Sequence, residues 1–307
     1  MAEAWNQALY TLGFGNFDGW YSNGVTGVEI QTREESDVPT LSIYKDEEET
    51  INYPLVCEFR EMYPWCDIVD DFQYEVVRTL RTPIDLVLYK GTFHALKIIH
   101  EPDDLELFLN EASALTNLRN SPYVTLLTAF ASMANPYDRN GDDVVCGLLT
   151  EFCEKGDLQT LLQVEGVKNI PWHQKLKWAK QIALGVQDIN SLGLVHGDLK
   201  CHNVVIDARD NAKVLDVCSG GMTHGYFWPA DADNESLSVS FDIYSLGVIF
   251  WELSDGGKPQ FRSPPVVSES DCPRGYAELV KKCVAESSSD RPSISEVIAE
   301  ISYIEEN

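Results

Sequence analysis

One twelve-residue segment limits what this chain can be more than any other feature: Val195-His-Gly-Asp-Leu-Lys-Cys-His-Asn-Val-Val-Ile206. It sets Asp198, Lys200 and Asn203 on one short loop, between a long helical pattern and a β-branched run. Downstream, Lys213-Val-Leu-Asp-Val217 reads as a short strand ending in an acid, Asp216. An aspartate and an asparagine five residues apart, with a second aspartate eighteen residues beyond the first, suit phosphoryl transfer. One carboxylate can orient a nucleophilic hydroxyl, while an amide and a carboxylate hold magnesium between phosphates. Lys200 can neutralise charge on the group in transit.

The pattern around this segment predicts where the loop sits. Tyr74–Leu80, Asp85–Tyr89 and Thr92–His100 read as three short strands joined by tight turns at 81–84 and 90–91. Apolar residues at 105, 108, 109, 112, 115 and 118 predict a helix over Asp104–Leu118. Two more strands are expected over Val124–Ala129 and Val144–Phe152. Helices come next at Leu158–Leu162, Trp172–Leu192, Ser240–Ser254, Tyr276–Ala285 and Ser293–Glu306. A small sheet carrying one helix, then a larger helical region, implies an α+β chain of two lobes. Residues 1–71 differ. They mix aromatics, glycines and the acidic stretch Glu34–Glu49, with a candidate strand at Thr40–Tyr44. They are expected to form a partly ordered extension packing on the domain behind it.

Set beside known families, the central loop resembles the HxDLKxxN catalytic loop of eukaryotic-type protein kinases, and Asp216 the acid of their DFG motif. His94-Ala-Leu-Lys-Ile-Ile99 resembles the VAIK strand and Glu111 the acid that pairs with its lysine. Leu149–Leu158 resembles the hinge, Asp242–Leu253 the central helix of the large lobe, and Asp290-Arg-Pro292 the closing arginine motif. The resemblance implies a bilobal protein-kinase-like fold, with an N-lobe and hinge over 72–155, a mainly helical C-lobe over 156–307 and residues 1–71 as an extension. It implies ATP and Mg2+ as cofactors and a protein substrate. Lys97 and Glu111 would position the phosphates, Asn203 and Asp216 the metal. Asp198 would orient the acceptor hydroxyl and Lys200 stabilise the transferring group. Thr150 would be the gatekeeper, and backbone groups of Glu151 and Cys153 would bond the purine. Ala95, Val87 and Val205 would sandwich the ring, with Asp157 near the ribose.

The chain departs from that family in four places. Aligning Val87 with the family valine puts Leu80, Thr82 and Asp85 where three glycines belong, so the backbone cannot approach the phosphates as closely. Val217 and Cys218 replace the last two residues of DFG, with Gly220-Gly221 a substitute source of flexibility. Gly197 replaces the HRD arginine, which argues against a loop-phosphorylation switch. The activation segment is short, with only Cys218 to Pro229 between the metal acid and its expected end; Trp228-Pro-Ala230 stands in place of APE, and Asp231 or Asp233 is the substitute partner for Arg291. A serine/threonine kinase is the leading expectation, with Lys200 favouring Ser/Thr over Tyr. A pseudokinase, acting as a nucleotide-binding or scaffolding module, is the alternative, and a small-molecule phosphotransferase a lesser one.

The net charge of -26 in 307 residues argues against nucleic acid and anionic membrane as partners and would attract a basic substrate. No apolar run approaches the length that spans a bilayer, and the first residues do not resemble a secretory signal. The eight cysteines form no CxxC pair, which argues against a zinc ribbon and fits small buried hydrophobes in a reducing, intracellular setting.

Overall fold

The computed structural model describes residues 27–31, 40–44, 50–138, 141–217, 222–227, 238–255, 259, 265–268 and 271–307. Among them the chain forms two compact units. One contains the residues up to Phe108 together with Thr128–Thr150, and the other Leu109–Leu127 together with Glu151–Asn307. The first is rich in strands and the second mainly helical, the two lobes of an α+β kinase-like fold.

In the first unit, strands β1 (Gly27–Gln31) and β2 (Thr40–Tyr44) pair antiparallel by themselves. A seven-residue helix, α1 (Val56–Met62), precedes β3 (Asp67–Asp70). Four further strands, β4 (Tyr74–Arg81), β5 (Ile84–Tyr89), β6 (Thr92–Ile98) and β7 (Leu127–Met133), join β3 and β8 (Val144–Glu151) in one six-stranded sheet. Its order is β3-β7-β8-β6-β5-β4. The β5–β6 turn is Lys90-Gly91, with φ of 50° and 78°. Two successive positive φ values mark the primed hairpin turns whose twist matches that of the strands, and glycine at the second position carries no Cβ penalty. That tight turn fixes the register: Leu86 opposes Ala95 and Val87 opposes His94. Since cross-strand partners share a face, Val87 lies with Leu96, and Leu86 with Ala95 and Lys97. The Val87 face is buried in a cluster with Val69, Tyr89, Leu96, Ala129, Ala131, Cys146 and Leu149.

The strand expected over 124–129 is displaced. β7 begins at Leu127, because Val124 bridges Val214 in the helical unit and the Thr125 amide donates to the Val214 carbonyl at 2.9 Å. Helix α2 runs over Asp104–Asn117, and the Asp104 carboxylate accepts from the His100 and Glu101 amides at its start.

The second unit is built around α5 (Val239–Asp255). Residues Phe241 to Phe250 are buried without interruption, the signature of a helix surrounded by protein on every side. Gly247 on it admits the end of α6 (Tyr276–Cys283), since a Cβ there would sit 2.6 Å from the Cys283 Cβ. The other helices are α3 (Leu158–Glu165), α4 (Trp172–Ser191) and α7 (Ile294–Glu306); α4 packs on α5 and α7. Between α4 and α5 the hairpin β9 (Val204–Ile206) and β10 (Ala212–Val214) pairs Val205 with Lys213. This hairpin and the end of α4 hold the loop that carries Asp198.

Candidate active site

The loop is fixed from beneath by a buried acid. Asp242, in the first turn of α5, is wholly buried, and its carboxylate accepts from the His196 amide (2.9 Å), the Gly197 amide (3.1 Å) and the Asn190 side chain (3.3 Å). Burial pushes its carboxyl above the usual range, and these donors oppose that shift. His196 is also buried. Its Nδ1 accepts the Asp198 amide at 3.3 Å, so Nε2 carries the proton and donates to the Leu215 carbonyl at 2.9 Å. The imidazole thus ties the segment before Asp216 to the segment before Asp198, a supporting role. Gly197 has φ of 83°, a conformation that a side chain such as the family's arginine would hold only under strain.

Above this base, the predicted residues Asp198, Lys200 and Asn203 form one network. Lys200 Nζ reaches Asp198 Oδ2 at 2.5 Å. Asn203 Nδ2 donates to the Asp198 carbonyl at 2.9 Å and to Oδ2 at 3.3 Å. The donor half of the Asn203 amide is therefore engaged with Asp198, and Oδ1 is the atom suited to a cation. A fourth member, Thr223, carries no signal in the sequence. Its amide and hydroxyl donate to Asp198 Oδ1 at 3.1 and 2.6 Å, and Lys200 Nζ donates to the Thr223 hydroxyl at 2.9 Å. Every oxygen of the Asp198 carboxylate is oriented, and the group is 8% exposed. A carboxylate held this way presents its oxygens along fixed directions to an incoming hydroxyl.

Asp216 lies just beyond the Asn203–Leu215 backbone bond (3.0 Å) and has φ of 58°. Non-glycine residues in that left-handed region are uncommon, aspartate tolerates it better than most, and such backbone concentrates at functional sites. Asn203 and Asp216 both offer hard oxygen donors. Among the described residues no group of three His, Cys, Asp or Glu side chains could hold a metal by itself. Two protein oxygens plus phosphates suit magnesium, which keeps several non-protein ligands.

Behind the loop lies a second buried carboxyl. Glu252 on α5, 1% exposed, accepts at Oε2 from the Tyr226 hydroxyl (2.6 Å) and the Cys201 thiol (3.2 Å). Burial pushes it up to about 7, with both donors acting against the shift. Tyr226 is held again through its carbonyl by Ser245 (2.7 Å), and Phe227 stacks on Phe241 at 5.6 Å. Residues 222–227 are thus bound to α5 on one side and to Asp198 on the other. Cys218, Gly220-Gly221, Trp228-Pro-Ala230, Asp231 and Asp233 lie outside the described residues. Arg291 donates to the carbonyls of Ser240, Ala285 and Glu286 and sits 5.0 Å over the Tyr244 ring.

The hinge residues have structural partners. Glu151 uses its carboxylate on the Leu126 amide (2.8 Å) and on Lys213 Nζ (2.6 Å), and its amide on the Leu126 carbonyl. Asp157 caps α3, accepting from the Thr160 amide (2.9 Å) and hydroxyl (2.8 Å), which commits the carboxylate expected near the ribose to a helix N-terminus. Cys153 is buried, its thiol pushed up to about 12, so it is a packing residue; its carbonyl accepts the Gly156 amide. Val205 is half-buried between fully buried Val204 and Ile206.

In the first unit, Ala95 and Lys97 share one face of β6, Thr150 stands near the end of β8, and Glu111, 5% exposed, lies on α2 in the second unit. Val87 requires correction. It lies on the opposite face of the sheet from Ala95 and Lys97, fully buried in the core cluster, and cannot form the ring platform with Ala95. Leu86, the cross-strand partner of Ala95, is the neighbour that shares its face. The one-residue shift moves the three glycine-equivalent positions to Thr79, Arg81 and Ile84, still without glycine, and turns Asp85 toward the Leu96 face.

Similarity to known proteins agrees with this geometry. The family model for protein tyrosine and serine/threonine kinases matches residues 90–301. A protein of Acanthamoeba polyphaga mimivirus named as a serine/threonine-protein kinase/receptor is 27% identical over 77% of this chain and 16% of its own length. A second mimivirus protein of the same description is 30% identical over 70% of this chain and 15% of itself. The Arabidopsis thaliana serine/threonine/tyrosine-protein kinase HT1 is 24% identical over 71% and 62%. The chain therefore spans about one sixth of the length of the viral relatives and under two thirds of the plant one. With the family model covering more than half of its residues, this chain belongs to the protein tyrosine and serine/threonine kinase family.

Proposed function

We propose that this chain transfers the γ-phosphoryl group of ATP, with magnesium, to serine and threonine hydroxyls of protein substrates. The observation that carries the reading is the Asp198 carboxylate, held by Thr223, Lys200 and Asn203 in one network. Asp198 would accept the hydroxyl proton as the acceptor oxygen attacks, and Lys200 would meet charge on the group in flight. Asn203 Oδ1 and Asp216 would hold the magnesium, which supplies charge neutralisation between phosphates. Serine/threonine preference is supported by Lys200 two residues after Asp198 and by the descriptions that the viral relatives carry. A basic substrate suits the net charge of -26. A reducing, intracellular setting is supported by seven described cysteines that are all unpaired thiols.

A scaffold without turnover is the second reading, and one observation favours it: the β4–β5 tip has no glycine at Thr79, Arg81 or Ile84. Phosphate transfer to a basic serine peptide separates the two. The wild type should label the peptide, and Asp198→Asn should lose at least about a hundredfold in rate, the lower end of a general base's contribution. Equal labelling by both, with ATP still raising the melting temperature, would establish the scaffold.

A further inference from the structure

His94 on β6 takes no part in the chemistry above, and it is buried, at 9% exposure. Hydroxyls engage both of its ring nitrogens. Nε2 lies 2.8 Å from Thr92 Oγ1, and Nδ1 lies 3.0 Å from Thr128 Oγ1 of β7. Each hydroxyl also meets a backbone carbonyl. Thr92 Oγ1 is 3.1 Å from the Tyr89 oxygen, and Thr128 Oγ1 is 3.0 Å from the Leu149 oxygen. The run Tyr89–Thr92–His94–Thr128–Leu149 thus joins the end of β5 to β8 through side chains, all within the first unit.

Protons along this run fall one short. A hydroxyl has one proton to give, and a neutral imidazole has one N–H and one bare nitrogen. Two hydroxyls and a neutral ring therefore supply three protons to four contacts. The bare nitrogen takes a hydroxyl proton away from a carbonyl, at Thr92 in one tautomer and at Thr128 in the other. The imidazolium completes the set. Both N–H groups then donate to hydroxyl oxygens, and both hydroxyls donate onward to the carbonyls of Tyr89 and Leu149.

We propose that Thr92, His94 and Thr128 form a proton-uptake relay inside the sheet, a pH-sensitive device in which acid replaces two interchanging hydrogen-bond arrangements by one fully bonded arrangement. Burial acts against the charged ring and holds His94 below the ordinary 6.5, with the Tyr89 and Thr150 backbones opposing that shift. On β5 the same face carries the Tyr89 ring, edge-on at 5.7 Å, and the Asp85 carboxylate opposite Leu96. Tyr74 of β4 and Cys146 of β8 belong to the cluster on that face; burial raises both, and Asp70 and Asp71 act in the same direction. Asp67 meets the Tyr89 hydroxyl and pairs with Lys90 at 2.6 Å. Because the unfolded chain binds the His94 proton at a higher pH than the folded one, the stability this group contributes is present above pH 6.5 and is lost as pH falls. The device does not draw on the phosphotransfer reading.

Proton NMR of the full chain follows the uptake, with His94→Gln to assign the ring signal. The His94 midpoint should lie below 6.5. In Thr92→Val and Thr128→Val it should fall further, because a charged N–H then faces a methyl group and forfeits a hydrogen bond of roughly twice the neutral strength. Thr92→Ser and Thr128→Ser keep the hydroxyl and should return the wild-type midpoint. If neither valine variant folds, the nitrogen shifts of the wild-type ring decide. Both nitrogens should be protonated below the midpoint, and above it both should show the intermediate shifts of two exchanging tautomers. A midpoint that the valine substitutions leave unmoved overturns the relay. So does a single fixed tautomer in the neutral form, or a ring that stays neutral until the chain unfolds.

Discussion

Glu252 gives the second unit a pH dependence that can be worked out from one side chain. Its carboxyl is raised from 4.5 to about 7, chiefly by burial. Between those values the folded chain keeps a proton that the unfolded chain has released. The stability this group contributes is thus complete below about pH 4.5 and falls as pH rises through about 7, by about 3 kcal/mol at most. Glu252→Gln retains an acceptor for Tyr226 and Cys201 but carries no titrating proton, so its unfolding free energy should lose that downward slope between pH 4.5 and 7. Denaturant titrations of both proteins across the window measure it, and parallel slopes would assign the pH dependence elsewhere. Around this carboxyl the sequence was legible unevenly. Asp198, Lys200 and Asn203 announce themselves by spacing on one loop. Thr223 does not: its tie to Asp198 crosses twenty-five residues, with no periodic pattern to mark it.

At the scale of elements, the β5–β6 hairpin shows what a strand sequence hides. Ile84-Asp85-Leu86-Val87-Leu88 places apolar residues on both faces, and Leu86 and Val87 are 6% and 0% exposed. When both faces are buried the two-residue alternation falls silent, and a slip of one residue exchanges every side chain between faces. Only the Lys90-Gly91 turn fixes which of the two neighbours meets Ala95. The two residues should therefore fail differently. Val87→Ala empties part of the core cluster and should cost about 2 kcal/mol of stability, with the ATP-induced rise in melting temperature largely kept. Leu86→Ala should shrink that rise more than Val87→Ala does, because it strips the face shared with Ala95 and Lys97. Thermal melts with and without ATP separate them, and the reverse ranking would restore Val87 as the ring contact. The longer helices are legible in the sequence nearly to their ends, since periodic apolar faces extend over several turns. Helix α1 and strand β3 are not: α1 buries one residue in seven, and β3 begins and ends in aspartate.

For the whole molecule, the family-specific blocks are spread in order from Lys97 to Arg291, which is why the kinase fold can be read before any coordinates. Ahead of β4 the signal is thinner: the alternation at Thr40–Tyr44 marks β2, whereas α1 and β3 are too short to carry a pattern of their own. Charge acts at the same scale. With 49 acidic against 23 basic residues, the protein sets up a negative field that concentrates cationic peptides near it. Phosphorylation of a serine peptide flanked by arginines should thus lose about tenfold in kcat/KM as ionic strength rises from low salt to several times physiological, since screening shortens the reach of that field. A peptide of the same length flanked by glutamates should gain over the same range. The sign of the two slopes is the decisive quantity. If both peptides respond alike, selection lies in contacts at the acceptor site rather than in the field of the chain.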